Sequence, residues 1–152
     1  ACHQAYLGQF HPATTCQVLK WLIASRKRMS KNTTTYWNVL EAGNASKWEP
    51  IEGTDGMLQQ LTLTMDDVTG DYTRLTRFQA GADTKKFGAK SHDYPEEIYI
   101  ISGRLYDEAF DMWLEAGHFA SRPPGEVHGP FICEEECLVL EVSHPSQSIK
   151  AT

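Results

Sequence analysis

The sequence has few cysteines, no long apolar run and a shortage of basic residues, and each shortage argues against a class of protein. Its four cysteines are too few and too irregularly spaced for a disulfide framework, which favours a reducing compartment and a cytoplasmic location. No apolar run approaches the length of about 20 residues that crosses a bilayer. The formal net charge of −6 argues against a nucleic-acid partner, because phosphate binding needs a clustered positive surface. We therefore expect neither a membrane nor a nucleic acid as partner.

Acidic residues are absent before Glu41, whereas five basic residues lie between Lys20 and Lys31. This asymmetry predicts a boundary near residue 30, with a single domain over residues 31–152. Residues 1–30 would then be an N-terminal extension, disordered or forming one short helix. Three interpretations stay open for it: an upstream extension with Met29 as the natural start, which we favour, a small packing helix, or an acidic-poor organelle-targeting segment.

The remaining chain has the pattern of short antiparallel strands. Leu61, Leu63 and Met65 alternate with threonines, which is the period of a half-buried strand. Residues 66–71 are turn material, and residues 72–78 read as the returning strand of a hairpin. Further short strands separated by turn residues follow, with little helical periodicity. We expect an all-β antiparallel barrel or jelly roll.

Two spaced motifs carry the chemistry. In the first, His92 is followed four residues later by Glu96 and then, seven residues on, by Gly103. The second reads GHFASRPPGEVH and predicts a turn at Gly117, a short strand, a rigid Pro-Pro-Gly corner and an inward-pointing imidazole at His128.

These motifs resemble the two signatures of the cupin superfamily. Together with the runs YTRLTRFQAG and EEIYIISG, they are similar to single-domain cupins related to the ChrR-type cupin domain and to acetylacetone-cleaving dioxygenases. The resemblance implies a jelly-roll β-barrel holding one metal, with His92, Glu96 and His128 as ligands. The sequence departs from the family pattern at Lys90, which stands where the first histidine of the first motif is expected. Cupins commonly dimerise, so the resemblance also implies a homodimer.

Two imidazoles and one carboxylate are the ligand set of non-haem Fe(II) oxygenases, so we expect Fe(II), with zinc as the alternative metal. Glu96 is expected to face inward and Glu97 outward, because neighbouring residues of a strand point to opposite faces. A protonated lysine cannot bind a metal, so we expect Lys90 or Arg77 to balance the charge of an enolate substrate. His118 would replace the missing histidine if the strand register brought it inward.

Three functions follow from these residues. The first is a metal-dependent dioxygenase that cleaves a carbon–carbon bond in a diketone-like or related small ketone. The second is a non-catalytic sensor or ligand-binding module, whose structural metal would have a fourth protein ligand such as His118. The third is a metal-free isomerase or lyase that uses Glu96 or His128 as general base. Cys133 and Cys137 are interpreted as ordinary strand residues, because a lone CxxxC pair is a weak metal signal.

Overall fold

A computed structural model describes residues 36–149, which form short strands joined by turns. Within that range there are nine strands and three 3-10 helical turns, Ala42–Lys47, Lys85–Phe87 and Pro145–Gln147. The strands are β1 (Glu49–Pro50), β2 (Leu58–Met65), β3 (Tyr72–Phe78), β4 (Glu96–Ser102), β5 (Arg104–Asp107), β6 (Met112–Glu115), β7 (Phe119–Arg122), β8 (Phe131–Ile132) and β9 (Cys137–Ser143). No helix in this range has the length and apolarity needed to span a membrane. The predicted extension over residues 1–30 lies outside the described residues.

The described strands form two antiparallel sheets. One has six strands in the order β1-β2-β3-β9-β4-β7, and the other has three in the order β6-β5-β8. Strand β9 returns from the end of the chain to lie between β3 and β4, so neighbours in the large sheet are not neighbours in sequence. This crossing topology is that of a jelly roll, which confirms the predicted all-β class.

The predicted hairpin of β2 and β3 is confirmed, and β3 has the predicted bounds. Its turn is held by Asp66, whose Oδ1 accepts the backbone N–H groups of Val68 and Thr69. A bulge between Thr62 and Thr64 interrupts the alternation that the sequence predicted. As a result Leu61 is buried, whereas Met65, which should share its face, is 38% exposed.

Apolar side chains cover both faces of the large sheet. The main core joins the two sheets and includes Leu58, Phe78, Ile100, Leu105 and Val139. A second cluster on the opposite face is formed by Leu61, Leu75, Leu138 and the partly buried side chains Trp37, Val39, Trp48, Leu63 and Leu140. Because the large sheet is packed on both faces, the polar side chains that point into the space between the two sheets have little freedom to move.

Candidate metal centre

Glu96 is the first residue of β4 and points into the space between the sheets. It is 3% exposed, whereas Glu97 is exposed, so the predicted orientation of the pair is confirmed. In the sheet Glu96 lies directly opposite Arg122 of β7 and Ser143 of β9. Arg122 donates from Nη1 to Oε2 of Glu96 at 2.8 Å, and the Ser143 hydroxyl donates to Oε1 at 3.1 Å. Both carboxylate oxygens are thus oriented by neighbouring strands.

Two chain segments before β4 and after β7 bring the histidines to this carboxylate. Lys90 and His128 exchange both backbone hydrogen bonds at 2.9 Å, and the Gly125 N–H donates to the His92 carbonyl at 2.7 Å. A residue pair bonded in this way presents its side chains on one face, and so do residues two apart in an extended segment. Lys90, His92 and His128 therefore face the same cavity.

The donor atoms of His92, Glu96 and His128 all lie within 4.8 Å of one another. Nε2 of His92 is 3.9 Å from Oε2 of Glu96, and the two imidazole centroids are 5.1 Å apart. Metal–ligand distances of about 2.0–2.2 Å place two ligands of one ion at most about 4.4 Å apart. Small side-chain rotations would bring the three donors to that spacing, so the residues present fit a divalent metal ion.

The chemistry of His128 supports this fit. Burial, and next the positive charge of Arg122, lower the pKa of His128 below its ordinary value of 6.5. The imidazole is therefore neutral at pH 7, which is the form that binds a metal. Its Nδ1 is buried and has no hydrogen-bond partner of ordinary geometry in residues 36–149. Tyr94 stacks on the His92 ring with the centroids 4.9 Å apart, which restricts the orientation of that second ligand.

Arg122 is a residue of the candidate centre that the sequence analysis did not single out. It is 6% exposed, and its Nη2 lies 3.9 Å from Oδ2 of Asp107 in addition to its bond with Glu96. Asp107 in turn accepts the backbone N–H of Gly129, the residue after His128, at 2.8 Å. Arg122 thereby connects the carboxylate ligand to the chain that carries a histidine ligand. Its partners lie far away in sequence, so only its position inside the second motif could have drawn attention to it.

The structure does not bring Arg77 to the centre, so the prediction that it faces the substrate is wrong. Its guanidinium stacks on Trp48 at 4.0 Å from the ring centroid, on the face of the large sheet opposite to the centre. Arg74, three residues earlier, points inward instead and pairs with the buried carboxylate of Glu141. Burial raises the pKa of Glu141 although Arg74 opposes the shift. A spacing of three residues places the two arginines on opposite faces.

His118 is not among the clustered donors. It precedes β7 on the surface, and its Nδ1 accepts the backbone N–H of Glu115 at 2.8 Å. Cys137 is the first residue of β9, as predicted, whereas Cys133 directly follows β8 rather than lying in a strand; both are buried free thiols. Burial raises their pKa values to about 11 and about 12, so both stay protonated at neutral pH.

A cavity of about 360 Å³ opens onto the three donors. Such a volume is in the range of small-molecule sites. Lys90 lies exposed at its rim, and the buried side chains Leu58 and Phe78 form part of its apolar wall. The polar lining residues other than the donors include Thr76, Thr84, Arg74, Arg122 and Glu141.

The family model for the ChrR cupin-like domain matches residues 38–147, well over half of the chain. The chain belongs to this family. No curated protein matches this ChrR cupin-like domain. Cupins bind a divalent metal, and His92, Glu96 and His128 are three clustered donors that could hold one here.

Solved structures similar to this ChrR cupin-like domain include an RmlC-like cupin, an acetylacetone dioxygenase and KdgF. An RmlC-like cupin from Shewanella frigidimarina is 18% identical, with 77% of this chain and 95% of that chain covered and a TM-score of 0.59. An acetylacetone dioxygenase from Acinetobacter johnsonii is 16% identical, with coverages of 76% and 78% and a TM-score of 0.58. KdgF from a Halomonas species is 19% identical, with coverages of 64% and 86% and a TM-score of 0.52. At these identities the likeness shows the fold alone.

Proposed function

We propose that this protein is a metal-dependent dioxygenase that cleaves a carbon–carbon bond in a small diketone-like substrate, with Fe(II) as its metal. The observation that carries the proposal is the convergence of two imidazoles and one carboxylate on a cavity of about 360 Å³. A set of three protein ligands leaves coordination positions for a substrate and for dioxygen. The similarity in fold to an acetylacetone dioxygenase supports this choice among cupin reactions.

The residues of the chain would divide the work as follows. His92, Glu96 and His128 would hold the ion, which when bound supplies Lewis-acid polarisation of the substrate oxygens and the redox chemistry with dioxygen. Arg122 and Ser143 orient the carboxylate of Glu96. The apolar wall of the cavity would limit the access of bulk water. In the overall reaction, one dioxygen molecule supplies both new oxygen atoms, and a 1,3-diketone gives a carboxylic acid and a 1,2-dicarbonyl compound.

The geometry favours this function over a sensor with a structural metal. A structural site is closed by a fourth protein ligand. His118, the residue expected to supply that ligand, is exposed and bonded to the turn at Glu115. Zinc remains the alternative metal, because its ligand preferences overlap those of Fe(II) for these donors.

The test is metal content and oxygen uptake on protein purified without a chelating tag. The protein would be loaded with Fe(II) without oxygen, analysed for metal, and then assayed with acetylacetone in an oxygen electrode. Glu96→Gln should lose metal and oxygen uptake, whereas Glu97→Gln, which changes the exposed neighbour, should keep both. Melting curves of each variant would show whether it is folded.

Two outcomes would contradict the proposal. Oxygen uptake that is unchanged in Glu96→Gln would remove the assignment of the metal centre. Turnover of a ketone that survives complete chelation, without consumption of oxygen, would favour the metal-free isomerase or lyase with Glu96 or His128 as general base.

A further inference from the structure

Three cationic side chains line the cavity, and two of them are already bound to carboxylates. Arg74 pairs with Glu141, and Arg122 donates to Glu96 at 2.8 Å. Lys90 makes no ion pair within residues 36–149. It is therefore the lining cation whose charge is available to a bound molecule.

The backbone places Lys90 beside a candidate metal ligand. Lys90 and His128 form an antiparallel bridge and exchange both of their backbone hydrogen bonds. In such a pair the Cα atoms lie about 5.5 Å apart and the side chains project from the same face. The ammonium group lies 6.0 Å from the centroid of the Phe87 ring, at the rim of the cavity. A flexible four-carbon stem lets this group reach a molecule bound next to His128.

The charges of the lining residues also favour an anion. Three cations and three carboxylates cancel by formal count, and a divalent ion would add two positive charges. A net charge inside a partly enclosed cavity is unfavourable unless an opposite charge accompanies it. The residues counted are Arg74, Lys90 and Arg122 against Glu52, Glu96 and Glu141. A 1,3-diketone bound as its enolate would offset one of the two surplus charges, whereas one that also carries a carboxylate would offset both.

We infer that the substrate is an oxo acid, a 1,3-dicarbonyl compound bearing a carboxylate, and that Lys90 binds this carboxylate. The dicarbonyl part of this substrate rests on the proposed function. The carboxylate subsite does not, because it is tested by measuring binding without turnover. Lys90 then determines specificity. It stands where the family pattern has a metal-binding histidine, and it would bind the substrate instead of the metal.

The test compares two ligands that differ only at one end. Acetylacetone and 2,4-dioxopentanoate share the 1,3-dicarbonyl unit, but the second has a carboxylate where the first has a methyl group. Their affinities for the Fe(II)-loaded protein would be measured by calorimetry without oxygen, so that neither is consumed. We expect the wild-type protein to bind the acid at least about tenfold more tightly, the lower end for a hydrogen bond to a charged group.

Substitutions at two lysines separate recognition from general charge. Lys90→Met, which keeps the length of the side chain but not its charge, should reduce the ratio of the two affinities by about tenfold. Lys90→Arg should keep most of the preference, because it keeps the cation. Lys86→Met is the matched control, since Lys86 is exposed, precedes Lys90 by four residues and pairs with Asp55 outside the cavity. It should leave the ratio unchanged.

The inference is overturned if the wild-type protein binds both ligands equally, if it binds neither, or if Lys90→Met keeps the preference for the acid. Its failure differs from failure of the proposed reaction. Binding of the acid through Lys90 without oxygen uptake would remove the dioxygenase and leave the subsite. Oxygen uptake with acetylacetone and no preference for the acid would leave the dioxygenase and remove the subsite.

Discussion

Arg122 is the residue that orients the carboxylate of Glu96. Its guanidinium is buried, and it bonds to the carboxylate that would bind the metal while lying near Asp107. A buried charge pair contributes little net stability, but removal of one partner leaves the other charge uncompensated. We therefore expect Arg122 to matter less for stability than for holding Glu96 in a fixed orientation toward the ion.

Arg122→Gln should weaken metal binding by about 10–100-fold, the usual effect of losing a group that orients a metal ligand. Lys at this position should restore part of the affinity, because it restores the charge but not the planar fork. The measurement is a titration of metal-free protein with Zn²⁺, with Arg104→Gln as control, since Arg104 pairs with Glu134 on the surface. A folded Arg122→Gln variant with wild-type affinity would show that Arg122 does not position a metal ligand.

The raised pKa of Glu141 leads us to expect that the stability of the protein depends on pH. Burial raises its pKa above the ordinary 4.5, so the folded protein holds this proton more tightly than the unfolded chain does. The contribution of Glu141 to stability is then complete below the unfolded pKa and is lost as the pH rises through the folded pKa. In Glu141→Gln the group is neutral at every pH. The free energy of unfolding of the wild-type protein minus that of the variant should therefore fall as the pH rises above the ordinary value of 4.5.

Urea denaturation of both proteins at four pH values would measure this difference. The comparison removes the contribution of the other titrating groups, which the two proteins share. A difference that stays flat or rises with pH would contradict the raised pKa, and it would mean that Arg74 rather than burial decides the ionisation of Glu141.

At the scale of strands and turns, the features that could be predicted from the sequence are those set by neighbouring residues, such as the ends of a strand. The bounds of β3 could be predicted because a turn of acidic residues and an alternating run fix both of its ends. The inward direction of Glu96 followed from its spacing to His92 and Gly103. Which of Arg74 and Arg77 faces inward could not be predicted, because the two faces of a strand buried on both sides are both apolar. The partner that settles it, Glu141, lies on a strand 67 residues further along the chain.

The turn between β4 and β5 requires a glycine at Gly103. Gly103 has φ +72°, and a Cβ there would lie 2.1 Å from the Glu136 carbonyl oxygen and 2.9 Å from the Cα of Cys137. Both are backbone atoms of the segment that leads into β9, so they cannot move without disturbing the sheet. This close approach explains in physical terms why the first motif ends in a glycine.

Gly103→Ala should destabilise the protein by several kcal/mol, of the order of 3 or more, because a backbone clash adds to the strain of a positive φ. Gly81→Ala is the matched variant: Gly81 has φ +84° and nothing within 4 Å of a Cβ, so it should cost only about 1–2 kcal/mol. Chemical denaturation of both variants measures the difference. An equal loss of stability in the two variants would show that the cost at Gly103 comes from backbone strain alone and not from a clash with the β9 segment.

At the scale of the whole domain, the candidate centre brings together one residue of the large sheet and two residues from segments outside the strands. Glu96 belongs to the large sheet, whereas His92 and His128 lie on segments before β4 and after β7. The cavity between them is lined by Leu58 and Phe78 of the large sheet and by Phe131 of the small one. An ion bound by all three ligands would therefore favour the folded state as a whole. The predicted homodimer and the cytoplasmic location concern this same scale and stay predictions.

Metal binding should raise the stability of the domain by mass action. At a free metal concentration of 100 times Kd the gain is about 2.7 kcal/mol, provided that the unfolded chain does not bind the ion. For a domain of this size the melting temperature should then rise by roughly 5–15 °C. Scanning calorimetry with and without Zn²⁺ measures the shift, and a chelator should reverse it. His128→Ala should abolish the shift, whereas His118→Ala should keep it, since His118 lies on the surface away from the cluster. An equal shift in both variants would place the bound ion elsewhere on the acidic surface, and the three-residue centre would have to be abandoned.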